Sequence, residues 1–97
     1  MKLFVIVRKD LTTSQQAVQA GHAVAEYMLR GLPFRRWKNE TLIYLGVKGL
    51  TQLRNLKRKL EIDNILYTEF REPDLNNEIT AIASDVECKI FERMNLL

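Results

Sequence analysis

The stretch Lys2-Leu-Phe-Val-Ile-Val-Arg8 constrains this chain more than any other. Five consecutive apolar side chains lie between two cations, so the segment has no polar face. Strand side chains alternate between faces, so such a run is buried on both sides, as in the interior of a parallel or mixed sheet covered by helices. The chain has 97 residues, 46% apolar and 28% charged. That is enough for one modest core and one domain over residues 1–97. No apolar run approaches the roughly 20 residues of a membrane span. Residues 3–7 are too short for a signal-peptide core, and no small-residue cleavage site follows them. Cys88 stands alone, so an internal disulfide is excluded, and one Cys with one His makes a structural zinc site implausible. The expected compartment is a reducing cytoplasm, and no metal is expected.

Punctuation along the chain gives the element order. After the first strand (2–8), Asp10 to Ser14 supplies cap chemistry, with capping-box spacing at Thr13 and Gln16. A helix follows from Ser14 to Arg30, ended by Gly31 and Pro33. A basic loop, 32–40, carries Phe34, Arg35, Arg36, Trp37 and Lys38. Leu42–Val47 reads as a second strand and Leu50–Glu61 as a helix with Leu53, Leu56 and Leu60 on one side. Ile65–Phe70 is a third strand, Arg71–Glu78 irregular, Ile79–Ala83 a fourth strand, and Val86–Met94 a closing helix capped by Asp85-Val86-Glu87. The order β-α-β-α-β-β-α predicts an α/β chain, a three-layer α/β/α sandwich around a four-stranded mixed sheet.

Charge is divided unevenly. Residues 1–60 hold twelve Lys or Arg against three acids, and residues 61–97 hold three against nine. Such asymmetry suits an anionic partner, nucleic acid first, or two halves that neutralise each other across the fold. Arg54, Lys57 and Arg58 share one side of the second helix, and the Phe34–Trp37 segment mixes aromatic and basic residues. The plainer readings are a solvated helix face and a cover for the core edge.

On the first helix, Ala17, Gly21, Val24 and Met28 form a stripe suited to packing on a sheet. Gln15, Gln19, His22 and Glu26 form a polar ridge that contains the only histidine. Histidine exchanges protons near neutral pH, a carboxylate near it favours the cation, and glutamines position water or a carbonyl. A ridge of this kind is otherwise simply exposed.

Three segments together resemble the type-two peptidyl-tRNA hydrolase family. They are Val7-Arg8-Lys9-Asp10-Leu11, Gln19-Ala20-Gly21-His22-Ala23, and the Thr80-Ala81-Ile82-Ala83 strand leading to a helix and Leu96-Leu97. The resemblance implies hydrolysis of the ester joining a peptide to tRNA, without metal or organic cofactor, and often homodimers. By position it implies Gln19 and His22 as site residues, with Arg8 and Asp10 at the charged positions ending the first strand. The family's lysine seven residues before the histidine is Gln15 here. Its Asp-Ala-Gly segment and following threonine are replaced by the shorter Arg71-Glu72-Pro73-Asp74-Leu75-Asn76-Asn77-Glu78. Either Glu72 or Asp74 can supply the acid.

On the hydrolase reading, His22 is the base or the group that orients water, and Glu72 or Asp74 holds it. Gln19 or Asn76 donates to the oxyanion. The tRNA phosphates would meet Arg35, Arg36, Lys38, Arg54, Lys57 and Arg58. The alternatives are a non-catalytic RNA- or protein-binding module, and an enzyme acting on another small substrate in the same pocket. A homodimer that covers an apolar sheet edge is also expected.

Overall fold

A computed structural model of the chain describes residues 1–30, 33 and 35–97. Its elements are β1 (Lys2–Arg8), α1 (Thr13–Arg30), β2 (Thr41–Val47), α2 (Leu50–Ile62), β3 (Thr68–Glu72), β4 (Glu78–Ser84) and α3 (Lys89–Glu92), with a single 3-10 turn at Pro73–Leu75. The sheet order is β2-β1-β4-β3. β1 pairs parallel with β2 and antiparallel with β4, and β3 is antiparallel to β4. This is the mixed four-stranded α/β sheet that the sequence predicts.

The alternation of β1 sorts the two cores. Leu3, Val5 and Val7 meet α1 through Ala20, Ala23 and Tyr27. Phe4 and Ile6 meet α2 through Leu53, Leu56 and Leu60, and α3 through Phe91. Both faces of β1 are thus covered, and residues Leu3 to Val7 are essentially sealed from solvent. No helix among the described residues is long and apolar enough to cross a membrane.

Several boundaries differ from expectation for local reasons. The capping box lies one residue earlier than read. Thr12 Oγ1 accepts from Gln15 N at 3.1 Å, while Gln15 Oε1 accepts from Thr12 N at 2.9 Å. The predicted packing stripe of α1 is displaced around the helix. Ala17, Gly21 and Met28 are exposed and Val24 half-buried, whereas Gln19, Ala20, Ala23 and Tyr27 face the sheet. The reason is that Gln19 and Tyr27 find polar partners there. β3 begins and ends later than Ile65–Phe70, which moves Glu72 from the expected irregular segment onto a strand end. β4 is longer by one residue at each end, and only the 3-10 turn and the Asn76-Asn77 bend separate the two strands.

Asp85 does not cap the closing helix. It is 3% exposed, accepts from Tyr27 Oη at 2.7 Å and from Arg36 N at 3.2 Å, and pairs with the Arg36 guanidinium. With Asp85 drawn into the core, residues 85–88 belong to no helix or strand and α3 shrinks to Lys89–Glu92. Burial, and then the Asp85 carboxylate, push the Tyr27 hydroxyl above its ordinary pKa. Trp37 is buried and donates from Nε1 to Thr41 O at 2.9 Å, so it closes the core edge. Gly31 and Phe34 lie outside the described residues.

The two sheet edges differ. Residues Asn95 to Leu97 pair along β2, through Gly46 N to Asn95 O and Leu97 N to Tyr44 O, both 3.0 Å. The outer edge of β3 has no such cover among the described residues. It carries Glu69, Arg71 and Glu72, charges of the kind that discourage edge-to-edge pairing.

Arg8 fastens the end of β1 to the start of β4. Its guanidinium grips Asp10 through two bonds (3.0 and 2.8 Å) and Glu78 Oε1 at 2.9 Å, and also reaches Ile79 O at 3.3 Å. Asp10 holds the Arg8 pKa well above its ordinary value, and the bond from Arg8 holds Asp10 below the ordinary 3.8. Asp10 and Glu78 are partly solvated, which limits the value of the network. Arg8→Met should cost about 2 kcal/mol at neutral pH, read as a shift in urea midpoint. Because Asp10 is depressed, its contribution is present above pH 3.8 and is lost as pH falls through the lowered value. The gap between wild type and variant should therefore narrow below about pH 4; a gap independent of pH would contradict the pairing.

Candidate functional site

An irregularity in β4 organises the site. The β3–β4 register runs Thr68↔Ala83, Glu69↔Ile82, Phe70↔Ala81 and then Arg71↔Ile79, leaving Thr80 as an extra residue. A bulge re-aims the side chain it contains. Thr80 is fully buried, and its hydroxyl donates to Gln19 Oε1 on α1. Gln19 in turn donates from Nε2 to Glu72 Oε1 at 2.8 Å, at the end of β3. A buried amide is costly unless both ends are satisfied, and here three elements share the task. The amide keeps one further N–H with no protein acceptor among the described residues.

Glu72 is held from a second direction. Its Oε2 accepts from Asp74 N at 3.3 Å, capping the 3-10 turn, and its carbonyl accepts from Asn77 N at 3.0 Å. Asn76 and Asn77 make the bend with φ of 54° and 58°, which Asn tolerates better than most side chains. The bond from Gln19, then the Asp74 amide, and less strongly the charge of His22 hold the Glu72 carboxyl below the ordinary carboxylate range. Of the two candidate acids, Glu72 is therefore the one joined to the helix residues. The Asp74 side chain makes no hydrogen bond or ion pair among the described residues, although it lines the same cleft.

His22 lies one turn beyond Gln19 and stacks flat on Phe70, with ring centroids 4.2 Å apart and 5° between planes. Phe70 and Glu72 are alternate residues of β3 and both address α1. The imidazole is exposed, and its nitrogens have no protein hydrogen bond among the described residues. Glu26, expected beside it, turns away to pair with Arg30 at 2.8 Å. Beside this group opens a cleft of about 350 Å³, lined by Ser14, Gln15, Val18, Gln19, Glu72, Asp74 and Leu75. Gln15 faces it while its oxygen serves the helix cap, which leaves the NH₂ group available. No group of three or more His, Cys, Asp or Glu suited to a metal ion occurs among the described residues.

The remaining sequence candidates are not gathered here. Arg8 and Asp10 lie near this end of the fold but are committed to each other and to Glu78. Asn76 shapes the bend and does not line the cleft. Arg35 bonds the Met28 carbonyl, Arg36 holds Asp85, and Lys38 sits in the segment that follows α1. These three lie beyond the far end of α1, about 20 Å along the helix axis from Gln15. Arg54, Lys57 and Arg58 project from α2 on the opposite side of the sheet.

Neither Phe70 nor Thr80 is singled out by the sequence as a site residue, although Thr80 opens one of the segments that carry the resemblance. A single threonine in an otherwise apolar strand was the available signal for Thr80. Nothing local marks Phe70 as a stacking partner.

Replacing Thr80 by Val keeps the shape and removes the hydroxyl, leaving the Gln19 oxygen buried without a donor. Thr80→Val should cost about 1–3 kcal/mol by chemical denaturation. A change below about 0.5 kcal/mol would mean that the Thr80–Gln19 bond does not hold α1 to the bulge.

The pattern of a family described as peptidyl-tRNA hydrolase PTH2 matches residues 1–87 of the chain. Among solved structures, a protein of unknown function from Agrobacterium tumefaciens strain C58 superposes with a TM-score of 0.72 at 13% identity, covering 99% of this chain and 96% of that one. At that identity the likeness concerns the fold alone. No curated protein matches the sequence.

Proposed function

The chain belongs to the peptidyl-tRNA hydrolase PTH2 family, and on that premise we propose that it hydrolyses the ester between a peptide and tRNA at the Gln19–Glu72 cleft, with His22 beside it. The observation that supports this reading is the buried amide of Gln19, which holds the Glu72 carboxylate at the cleft, with the exposed imidazole of His22 one helical turn away, stacked on Phe70. His22 takes a proton from a water molecule as that water adds to the ester carbonyl, giving a tetrahedral intermediate and an imidazolium. Glu72, held ionised by Gln19, offsets the new positive charge. The spare N–H of Gln19 and the NH₂ of Gln15 are the donors nearest the cleft for the oxyanion. The imidazolium then returns the proton to the departing ribose oxygen, releasing a peptide acid and free tRNA. Asp74 lines the cleft without a fixed partner and plays no part in the proton transfer.

Gln15 gives the competing reading its support. Its amide is tied to the α1 cap and brings no positive charge to the position where the family's members have lysine. A chain that keeps the fold and binds tRNA without turnover would fit the same observation.

The deciding assay is release of peptide from N-acetylaminoacyl-tRNA. Wild type should turn over, and His22→Ala and Glu72→Gln should each lower kcat/KM by about 100-fold or more. Wild type that binds tRNA without releasing peptide would overturn the hydrolase and leave the binding module. Turnover undiminished in His22→Ala would overturn the assignment of the base.

A further inference from the structure

On the proposed reading an RNA partner meets the cleft, and the route it takes across this chain is open to inference. A second concavity, about 290 Å³, lies on the α2 side and is lined by Arg54, Lys57, Arg58, Glu61, Arg71 and Ile79. Three elements line it: α2 supplies three cations and Glu61, β3 supplies Arg71 and β4 supplies Ile79. Glu69 draws in two of the four cations, Lys57 at 2.7 Å and Arg71 at 2.6 Å. Arg54 and Arg58 have no ion pair among the described residues. They stand four apart on α2, where like charges repel by about 0.2–0.5 kcal/mol. Glu61 is the carboxylate that lines the same concavity, its Oε1 accepting from Tyr67 Oη, and an anion between the two arginines would relieve their repulsion.

Arg71 connects this concavity to the other face. It also lines a hollow at the open edge of β3, together with Glu26, Arg30, Glu69, Phe70 and Asn77. Phe70 is the ring beneath His22. Successive β3 residues therefore serve opposite faces, with Phe70 and Glu72 toward the cleft and Glu69 and Arg71 toward the cations of α2. The hollow that Arg71 and Phe70 share lies at the edge of β3, which no other segment among the described residues covers.

We propose that Arg54, Arg58 and Arg71 hold a backbone phosphate of the bound RNA, and that the RNA crosses the open edge of β3 with its esterified end at His22. The proposal rests on the hydrolase reading for the identity of that end, and the phosphate contact is tested without catalysis. Arginine suits the role, since its planar fork engages phosphate oxygens in pairs. Glu69 acts as a positioning residue that fixes Lys57 and Arg71 at the rim. An RNA on this path occupies the β3 edge and competes with any second copy that would extend the sheet there.

The test measures binding of deacylated tRNA over a range of salt concentrations, for wild type, R54A/R58A, and a control K59A/K89A that removes the same charge elsewhere. All four substituted side chains are exposed, and thermal melts confirm folding of each variant. In R54A/R58A the slope of log affinity against log salt should fall by about 1–2, with affinity at low salt at least 10-fold weaker. The control should keep both the wild-type slope and affinity. A second readout is amide exchange at Thr68–Glu72, which tRNA should slow. Equal losses in control and variant, or an unchanged slope in R54A/R58A, would overturn the phosphate contact. Exchange at β3 that tRNA leaves unaltered would overturn the path. Tight tRNA binding with the expected slope loss but no peptide release would leave this proposal standing and remove the hydrolase.

Discussion

The buried amide of Gln19 is the interaction on which the site depends. It joins the bulge in β4, through Thr80, to the end of β3, through Glu72, and it does so from α1. A satisfied amide in a nearly solvent-free position has few alternative arrangements, because releasing either end leaves a buried polar group unpaired. That fixes the rotation of α1 about its axis and brings His22, one turn further along, over Phe70. The same rotation leaves Ala17, Gly21 and Met28 facing solvent. One polar residue thus sets the packing face of the helix and the geometry of the cleft together.

The sheet order distributes the remaining chemistry. β1 is sealed on both faces, so its charged groups sit only at its two ends, where exposed Lys2 pairs with Glu87 and buried Arg8 is already occupied by Asp10 and Glu78. β2 is closed along its edge by residues Asn95 to Leu97. β3 is left as the strand that reaches both faces and solvent. Its alternate residues serve His22 and Gln19 on one side and the cations of α2 on the other, so it is the strand that links the two faces.

The sequence revealed the fold more fully than the site. The apolar run of β1, the leucine spacing of α2 and the element order were legible because burial imposes a period on the chain. Gln19, His22 and a choice of Glu72 or Asp74 were legible as residue types. Which acid joins the helix was not, because the answer depends on a one-residue shift in the register of β4, and register is a property of two strands. For the same reason α1 was read with its apolar stripe inward, when satisfied polar groups at Gln19 and Tyr27 outweighed it. Asp85 was read as a helix cap from its position before an expected helix. Its partners, Tyr27 and Arg36, lie more than forty residues away in sequence. Of the basic residues, Arg8 is expected at the site from the resemblance and Arg36 from charge alone, and both are committed to carboxylates of the protein.

The account stands most directly on the bond between Gln19 and Glu72. The measurement that addresses it is the titration of the Glu72 carboxyl carbon by NMR, in wild type and in Gln19→Ala. Wild type should titrate below the ordinary carboxylate range, and the variant should move up toward the ordinary Glu value of 4.5. Identical titrations in the two proteins would mean that Gln19 does not hold Glu72, and the arrangement of the site described above would be wrong.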